Sequence, residues 1–407
     1  MHAGGMPAPD IIVHLKKDRD RPIRLGHPWI FSGAIAKWEG AMKQPGVAVV
    51  LSSEGEWLGR GFANAQSNLA VRLLTRRESE AVDEELIADR LDAALALREQ
   101  LFGPVGLDGD TNAYRLVFSE ADGLSGLIVD RYANALAVRV GAAAWLPWLR
   151  FVREHLAART GLRQILFRVE ADAHEREGLS EEAVSDESRN APETISICES
   201  GFVYDVDLAG GQKTGFYLDQ REARRRVAAY AAGRDVLSAY CYSGAFEMHA
   251  AAAGARAILG LDSSEPALVR ARAHHARNGL TVPVEYRNAD VPVALRRFRD
   301  ERRSFDMIIL DPPRFVSNAG QREKGLRAYK DINLLALKLL RPDGILATFS
   351  CSGWVGMDEL RTTLSWAATD ASRDVQILET IGQPPDHPVL LAFPEGAYLH
   401  GIIARAL

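Results

Sequence analysis

Residues 235–350 alternate between short apolar runs and longer segments with helical spacing, and this rhythm constrains the fold more than any other feature of the chain. Such an alternation is typical of a doubly wound α/β sheet with parallel strands. The predicted strands are Asp235–Ala239, Ala257–Leu261, Val284–Asn288, Met307–Leu310 and Ile345–Ser350, and the predicted helices are Ala245–Ala253, Glu265–Asn278, Val291–Glu301 and Lys330–Leu340.

Two other sections precede this domain, as expected for a chain of 407 residues, which is too long for one core. Up to about residue 75, short apolar runs alternate with turn residues, which predicts a small β-rich domain. Residues 76–193 combine a strong helix, Glu84–Leu101, with a hairpin-like segment, Tyr114–Val140, and a later helix and strand. Without βαβ alternation, this mixture predicts an α+β domain.

The composition, with 47% apolar and 25% charged residues, indicates a soluble globular protein, and the small number of cysteines fits a reducing cytoplasm. We find no membrane span and no apolar core of a signal peptide in Met1–Asp10. The three cysteines, Cys198, Cys241 and Cys351, are too few and too scattered for a disulfide framework or a metal site.

The net charge of −5 does not decide whether the partner is a nucleic acid. Residues 170–193 hold nine acids and two arginines, a local charge of −7, and the rest of the chain holds 47 basic and 45 acidic residues. Nucleic-acid binding needs only a local basic face. The acidic stretch itself is predicted to be a flexible surface insertion, with no function inferred for it.

Ligands of doubly wound sheets bind at the carboxyl ends of the strands. The loop Tyr240–Phe246 follows the first predicted strand, and its Gly244 permits close approach to a ligand. The loop lacks the G-x-G-x-x-G of NAD and FAD sites. Asp262 ends the second strand, where it could bind ribose hydroxyls, and Asp290 follows the third, where it could bind an adenine amino group. One such acid alone is more often an N-cap or turn residue, but the ordered set favours a cofactor site.

The fourth and fifth predicted strands end in two further polar segments. Asp311-Pro312-Pro313-Arg314-Phe315 is stiff and extended because of its prolines, and it can hold a polar group against a flat base. Ser350-Cys351-Ser352-Gly353 brings a thiol to the same rim.

These loops and acids resemble motifs of class I methyltransferases that use S-adenosylmethionine (SAM). Longer segments resemble, more narrowly, the bacterial ribosomal RNA large-subunit methyltransferase I family. The resemblance spans nearly the whole chain, and its most specific part is Gly211–Arg221. The other segments are Gly26–Phe31, Glu120–Leu124, Phe349–Gly353, Asp386–Pro388 and Pro394–Gly396.

The resemblance implies three domains: a PUA-like RNA-binding domain over residues 1–75, an α+β middle domain over 76–193 with the acidic insertion 170–193, and a Rossmann-like methyltransferase domain over 194–407. It implies SAM as cofactor and 23S ribosomal RNA as partner, without a membrane, and a homodimer is compatible with it. The cofactor-binding residues that it implies are Gln220, Tyr240, Ser243, Gly244, Asp262, Asp290 and Asp311. Ser238 departs from the acid that many class I enzymes carry there, which would weaken a hydrogen bond behind the SAM loop.

The family's product is 5-methylcytosine, whose formation requires a thiolate on carbon 6 to activate carbon 5. Cys351 matches the catalytic cysteine, with a buried structural thiol as the alternative. Cys241 is predicted to pack, and Cys198 has no chemical context. Asp311 is predicted to orient the cytosine amino group or to act as a base, with turn capping as the alternative. Many RNA cytosine-5 methyltransferases place a second cysteine, which helps to remove the carbon-5 proton, just after the proline of this motif. Here Pro312 is followed by Pro313 and Arg314 instead.

Several residues are candidates for RNA contact. Phe315 could stack on a base or belong to the core. Basic side chains could contact phosphate or form solvated faces; they are Lys16, Lys17, Arg19, Arg21, Arg24, Arg221, Arg224, Arg225, Arg226, Arg322, Lys324, Arg327 and Lys330.

Two other functions stay open. One is a SAM-dependent RNA methyltransferase that acts on a guanine nitrogen, which needs no covalent thiol. The other is a non-catalytic RNA-binding assembly factor. DNA or small-molecule methylation is disfavoured because neither needs the first section.

Overall fold

A computed structural model describes residues 11–40, 42, 44–104, 109–189, 192–208, 215–316 and 318–407. Residues 1–10, where no signal peptide is predicted, and residues 211–214 of the segment Gly211–Arg221 lie outside the described residues. The chain divides into two compact units. The first comprises Met1–Cys198, Val206–Phe216 and Pro385–Gly396, and the second comprises Glu199–Asp205, Tyr217–Pro384 and Ala397–Leu407. The domain boundaries at residues 75 and 193 stay a prediction.

The strands are β1 (Ile11–Leu15), β2 (Trp29–Phe31), β3 (Ile35–Glu39), β4 (Gly46–Leu51), β5 (Trp57–Ala63), β6 (Leu69–Thr75), β7 (Ala113–Phe118), β8 (Leu127–Tyr132), β9 (Ala135–Val140), β10 (Gln164–Val169), β11 (Thr194–Glu199), β12 (Phe202–Asp207), β13 (Asp235–Ala239), β14 (Ala257–Asp262), β15 (Val284–Asn288), β16 (Phe305–Leu310), β17 (Leu340–Ser350), β18 (Val375–Ile381) and β19 (His400–Ala406). The helices are α1 (Arg21–Arg24), α2 (Glu84–Phe102), α3 (Leu149–Thr160), α4 (Ala173–Glu177), α5 (Glu181–Ser185), α6 (Arg221–Ala228), α7 (Ala245–Ala252), α8 (Glu265–Arg277), α9 (Val291–Asp300), α10 (Arg322–Leu339) and α11 (Met357–Ala371). Among the described helices, none has the length and apolar character needed to cross a membrane.

The first unit contains the predicted β-rich section as a six-stranded sheet. Its strand order is β2-β6-β5-β4-β1-β3, and β1 and β4 are parallel, whereas the other pairs are antiparallel. Alternate side chains of its strands, such as Val13, Val50 and Val71, form one apolar core.

A four-stranded sheet, in the order β10-β9-β8-β7, packs with α2 and α3 in the same unit. Trp145 is fully buried in its core, with its ring 4.8 Å from the ring of Phe62. The sequence missed one feature here. Because β9 and β10 are parallel and α3 connects them, the sheet contains a single βαβ unit.

The acidic stretch is not the flexible surface insertion that its charge predicted. It contains α4 and α5, and Ala173, Leu179 and Val184 are buried in the core that holds Trp145. Because average charge hides a few correctly spaced apolar residues, composition could not predict this packing.

One acid of this stretch, Glu177, is itself buried. Its carboxylate accepts hydrogen bonds from Arg72, Ser67 and Asn64, each at 3.0 Å. Arg72 is buried as well, and a second carboxylate, that of Glu120, lies 3.9 Å away. A buried ion pair with full hydrogen bonding tolerates the loss of one partner poorly, because the remaining charge stays desolvated.

We therefore expect Glu177→Ala to lower the free energy of unfolding by about 3–5 kcal/mol. The exposed acid Glu182 in α5 provides the control, and Glu182→Ala should change it by less than about 0.5 kcal/mol. Urea denaturation followed by tryptophan fluorescence measures both. Equal stability of the two variants would contradict the role assigned to Glu177.

Four of the segments that carry the family resemblance meet in the first unit. The Trp29 indole donates to Glu120 at 2.8 Å, and its ring lies 4.5 Å from that of Phe393. The His27 Nε2 atom lies 3.3 Å from the Glu395 carboxylate. Arg98 donates to the Asp386 carbonyl at 2.9 Å and to Asp122 at 2.7 Å. The segment 385–396 therefore packs with this unit, although β18 and β19 on either side of it belong to the second.

The second unit contains the predicted doubly wound sheet, in the strand order β15-β14-β13-β16-β17-β19-β18. All neighbours from β15 to β17 are parallel, and β19 is antiparallel to both β17 and β18. Ala239 of β13 pairs with Leu261 of β14 and Leu310 of β16, and Leu310 pairs with Thr348 of β17. The carboxyl ends of these strands therefore lie at one edge of the sheet.

The five predicted strands and four predicted helices of this domain are all present. The main difference is α10, which begins at Arg322 rather than at the predicted Lys330. The sequence analysis did not predict α6, α11, β18 or β19.

Candidate active site

The loop after β13 has an unusual backbone. Tyr240 and Tyr242 have φ angles of +65° and +48°, in the left-handed region that disfavours large side chains. Such residues cost about 1–3 kcal/mol each and persist where the surroundings hold them. Here the Cys241 amide donates to the Leu261 carbonyl at 3.0 Å, and the Tyr242 amide donates to the Asp262 carboxylate at 2.9 Å.

Gly244 ends this loop with a φ of +84°. A Cβ at this position would lie 2.7 Å from the Tyr286 hydroxyl and 2.9 Å from the Ala271 Cβ. This glycine was predicted from its position in the loop to permit close approach to a ligand. In the structure, packing against α8 and β15 already requires it.

Asp262 and Asp290 lie at the carboxyl ends of neighbouring strands, and both make local hydrogen bonds. Asp262 accepts from the amides of Tyr242 and, at 2.8 Å, Ser264. Asp290 caps α9 by accepting from the Val293 amide at 3.0 Å, so the capping alternative is realised there. Because a carboxylate has about four acceptor positions, both can still bind a ligand.

Asp311 meets a residue from the segment Gly211–Arg221. The Gln220 side-chain amide donates to the Asp311 carboxylate at 2.9 Å. The buried Gln220 Oε1 atom has no hydrogen-bond partner in the described part of the chain, and neither does the Tyr240 hydroxyl. Buried polar atoms are normally satisfied, so these two are candidates for contact with a polar ligand.

Cys351 is partly exposed at the carboxyl end of β17. Its sulfur lies 3.8 Å from the carbonyl oxygen of Pro312, in the segment that follows Asp311. The thiol is thus neither sealed in the interior nor remote from the ends of the other parallel strands.

Phe315 packs within an aromatic group. Its ring centroid lies 4.9 Å from that of the buried Tyr329 and 6.4 Å from that of Tyr240. These contacts support the core alternative over base stacking.

Tyr217 belongs to the resembling segment, but the sequence analysis assigned it no role. Its ring lies edge-on to Tyr242 at 5.4 Å. Burial raises the pKa of the Tyr217 phenol, with further contributions from nearby Tyr242, Asp311 and Cys351. Tyr217 therefore stays a neutral phenol beside the thiol and Asp311.

Two arginines proposed for phosphate contact are instead buried. Arg224 forms an ion pair with Glu199 and donates to the Tyr217 carbonyl at 2.6 Å, and Arg221 is 4% exposed. The predicted phosphate contact is wrong for these two residues because the sequence pattern did not reveal α6, whose inner face they occupy. Arg225 and Arg226 on the same helix are exposed.

The other two thiols lie in different surroundings. Cys241 is buried with Leu268, Ala271 and Tyr286, and burial raises its pKa well above the usual value, which fits the predicted packing role. The Cys198 thiol donates to the Asp110 carbonyl at 3.2 Å.

Glu247 of α7 lies behind the loop after β13, and the sequence analysis missed it. Its carboxyl is completely buried near Ser238, the position where many class I enzymes carry an acid. The pKa of Glu247 is raised to about 7, because the effects of burial and of nearby Asp262 outweigh those of Ser238 and Arg224, which lower it. Cys241 and Tyr286 are its other titratable neighbours.

This pKa predicts how stability depends on pH. Between the ordinary value of 4.5 and about 7, the folded protein binds more protons than the unfolded chain, so stability falls as pH rises through this range. Glutamine does not titrate, so Glu247→Gln should not lose stability over this range. The free energy of unfolding of the variant, relative to that of the wild type, should therefore be up to about 3 kcal/mol higher at pH 8 than at pH 4.5. Thermal unfolding at both pH values, with the exposed-residue variant Glu301→Gln as control, measures the difference. A difference that does not change with pH would contradict the assignment.

Comparisons with known proteins match this architecture. A PUA-like domain model matches residues 13–76, and an S-adenosylmethionine-dependent methyltransferase model matches residues 173–396. Two solved structures share the fold at 19% identity, each over 97% of this chain and 99% of the other. One, described as a SAM-dependent methyltransferase from Streptococcus mutans, has a TM-score of 0.81, and the other, a methyltransferase complexed with SAH, has 0.82.

Curated relatives extend over nearly the full chain. The ribosomal RNA large subunit methyltransferase I of Shewanella denitrificans is 42% identical over 97% of this chain and 99% of its own length. The protein of that name from Alteromonas mediterranea is 37% identical over 97% of this chain and 98% of its own.

The fold and the matched models define a SAM-dependent methyltransferase with an N-terminal PUA-like domain. The sequence identity of these relatives over nearly the whole chain also identifies the narrower family. The chain belongs to the ribosomal RNA large subunit methyltransferase I family.

Proposed function

We propose that this protein transfers a methyl group from SAM to carbon 5 of a cytosine in 23S ribosomal RNA, with Cys351 forming a covalent adduct. The observation that carries the proposal is the position of the Cys351 sulfur. It is partly exposed, 3.8 Å from the Pro312 carbonyl, at the sheet edge where β13 and β14 also end. A nitrogen acceptor, which has a lone pair, would need no thiol there.

Ribosomal RNA as substrate is supported by the names of the relatives, which are ribosomal RNA large subunit methyltransferases. The PUA-like domain over residues 13–76 supports the same substrate class, as an RNA-binding module. Exposed Lys17, Arg19 and Arg21 in this domain suit phosphate contact.

The residues at the edge of the large sheet fit SAM. Asp262 and Asp290 place carboxylates at the ends of adjacent strands, where ribose hydroxyls and an adenine amino group need acceptors. The buried polar atoms of Gln220 and Tyr240, which have no partner among the described residues, suit the polar groups of the cofactor. We assign Ser243 and Gly244 to the same site because they lie in the loop of Tyr240, and Asp311 because its carboxylate accepts a hydrogen bond from Gln220.

The proposed reaction begins at Cys351. Its thiolate adds to carbon 6 of the target cytosine, which makes carbon 5 enamine-like and nucleophilic. SAM, held at the loop Tyr240–Gly244 with Asp262 and Asp290, would supply the methyl group to carbon 5 and would leave as S-adenosylhomocysteine. A base then removes the proton from carbon 5, and the thiolate leaves carbon 6 to restore the ring.

Asp311 and Tyr217 have supporting roles in this proposal. The hydrogen bond from Gln220 holds the Asp311 carboxylate in one orientation, so that it can accept the cytosine amino group or assist proton removal. The neutral Tyr217 phenol beside the thiol and Asp311 can donate a hydrogen bond without adding charge.

We expect Cys351→Ala to lower methyl transfer at least about a thousandfold, because the nucleophile is lost, and to leave SAM affinity unchanged. Transfer of labelled methyl groups from SAM into 23S RNA of cells lacking the protein measures this. Cys198→Ala, which removes a thiol of the first unit, is the control and should keep full activity.

RNA containing 5-fluorocytidine tests the covalent step directly, because carbon 5 then carries no removable proton and the adduct persists. Wild-type protein should gain the mass of the RNA fragment, and the Cys351 variant should not. Normal turnover by the Cys351 variant would exclude the covalent mechanism and favour a nitrogen acceptor.

Asp262→Ala should weaken SAM binding about tenfold or more, because it removes a charged acceptor from the ribose position. Calorimetric titration with SAM measures the affinity, and Asp300→Ala, at an exposed carboxylate of α9, serves as the control. Unchanged affinity in the Asp262 variant, with thermal unfolding showing an intact fold, would mean that SAM binds elsewhere.

A further inference from the structure

The buried histidine His274 contacts the loop after β13 from behind. It lies in the last turn of α8 and is 1% exposed. Its Nδ1 atom lies 3.0 Å from the Ser243 carbonyl oxygen. Three residues earlier on the same helix, Ala271 packs against Gly244, so α8 meets the loop at two successive points.

The partners of His274 determine where its proton is. The Ser243 carbonyl can only accept, so Nδ1 must carry a hydrogen. On the other side of the ring, Nε2 lies 3.0 Å from the amide nitrogen of Asp205 in β12 and 3.3 Å from the Asp205 carbonyl oxygen. In a neutral ring whose Nδ1 carries the hydrogen, Nε2 offers its lone pair to the amide, which is the closer of the two. Burial lowers the pKa of His274, which keeps the ring neutral and both hydrogen bonds intact. The ring is therefore the Nδ1–H tautomer.

The loop needs such a contact. Tyr242 immediately precedes Ser243 and has left-handed backbone angles, which a tyrosine adopts only under constraint. The carboxylate of Asp262 fixes the amide of Tyr242, and His274 fixes the carbonyl of Ser243. These two side chains thus hold the strained segment at both ends.

The strand β12 in turn holds the histidine. Asn278, which caps the carboxyl end of α8, exchanges hydrogen bonds with both backbone groups of Val203, each at 2.8 Å, and Arg277 forms an ion pair with Asp205 at 2.6 Å. The position of the Asp205 amide is therefore fixed independently of His274.

We propose that His274 is a positioning residue that pre-organises the loop Tyr240–Gly244 for SAM, by donating from Nδ1 to the Ser243 carbonyl. This inference rests on the proposed SAM site. It adds that SAM affinity depends on the Nδ1–H group of His274, a buried side chain behind the loop.

Two substitutions test the hydrogen bonds of Nδ1 and Nε2 separately. In His274→Asn, the side-chain amide nitrogen occupies roughly the place of Nδ1 and can still donate to Ser243. In His274→Gln, the side-chain oxygen reaches roughly the place of Nε2 and can accept from Asp205, but the bond to Ser243 is lost. Each variant loses one hydrogen bond, so a merely structural role predicts similar losses of SAM affinity.

We expect His274→Asn to bind SAM within about threefold of wild type and His274→Gln to bind at least about tenfold more weakly, the cost of losing one buried hydrogen bond to the loop. Calorimetry on the full chain measures affinity, and thermal unfolding without SAM confirms that each variant is folded. Equal affinities of the two variants would overturn the proposal.

Asp262→Ala in the same series distinguishes the two levels of inference. If it leaves SAM affinity unchanged, the proposed SAM site fails. If it weakens binding while the two His274 variants remain equal, only the role of His274 fails. Nitrogen-15 spectra of the wild-type imidazole give a check that needs no variant, because the proposal requires the Nδ1–H tautomer and an Nε2–H ring would refute it.

Discussion

The candidate active site depends on the parallel pairing of β13 with β14 and β16, and of β16 with β17. Parallel strands with matched registers end at the same edge of a sheet, so the loops that follow them lie close together. More than a hundred residues separate Gly244 from Cys351 in the chain. The strand pairing brings both to one edge of the sheet, together with Asp262 and Asp311. An antiparallel neighbour in the place of β16 or β17 would send one of these loops to the opposite edge.

A second layer of contacts fixes the loop after β13. Two tyrosines there adopt left-handed backbone angles, at a cost that local sequence cannot offset. Main-chain groups of the loop are instead fixed by Asp262 and His274, and Gly244 leaves the space in which Tyr286 and Ala271 pack. Asp262 thus has two roles, since the carboxylate that we assign to the ribose also holds the backbone of the loop. Loss of this acid would affect both the ligand contacts and the shape of the loop.

The first unit uses its signature residues differently. Segments that resemble the family's motifs, near Trp29, Glu120 and Asp386, bind one another through hydrogen bonds and ring contacts. Buried charges such as Arg98 and Glu177 are paired and hydrogen-bonded, as the cost of desolvation demands. A sequence motif that is typical of a family can therefore reflect a requirement of packing as well as one of catalysis.

The sequence by itself determined the strands and helices of the large sheet, because a strand or helix buried on one side leaves its period in the local pattern of apolar residues. It also indicated the order of polar groups at the strand ends and, through the resemblance, the class of cofactor. Only the tertiary structure decided which polar residues are buried and with what partners. It turned Glu177 from a surface acid into a core ion pair, Arg221 and Arg224 from phosphate contacts into buried side chains, and Asp290 into a helix cap. It also assigned the segment 385–396 to the first unit and revealed Glu247 and His274 behind the loop. The physical reason is that hydrophobic periodicity is a local property of the chain, whereas the partner of a buried charge or hydrogen-bond donor is set by distant segments that meet only in the folded state.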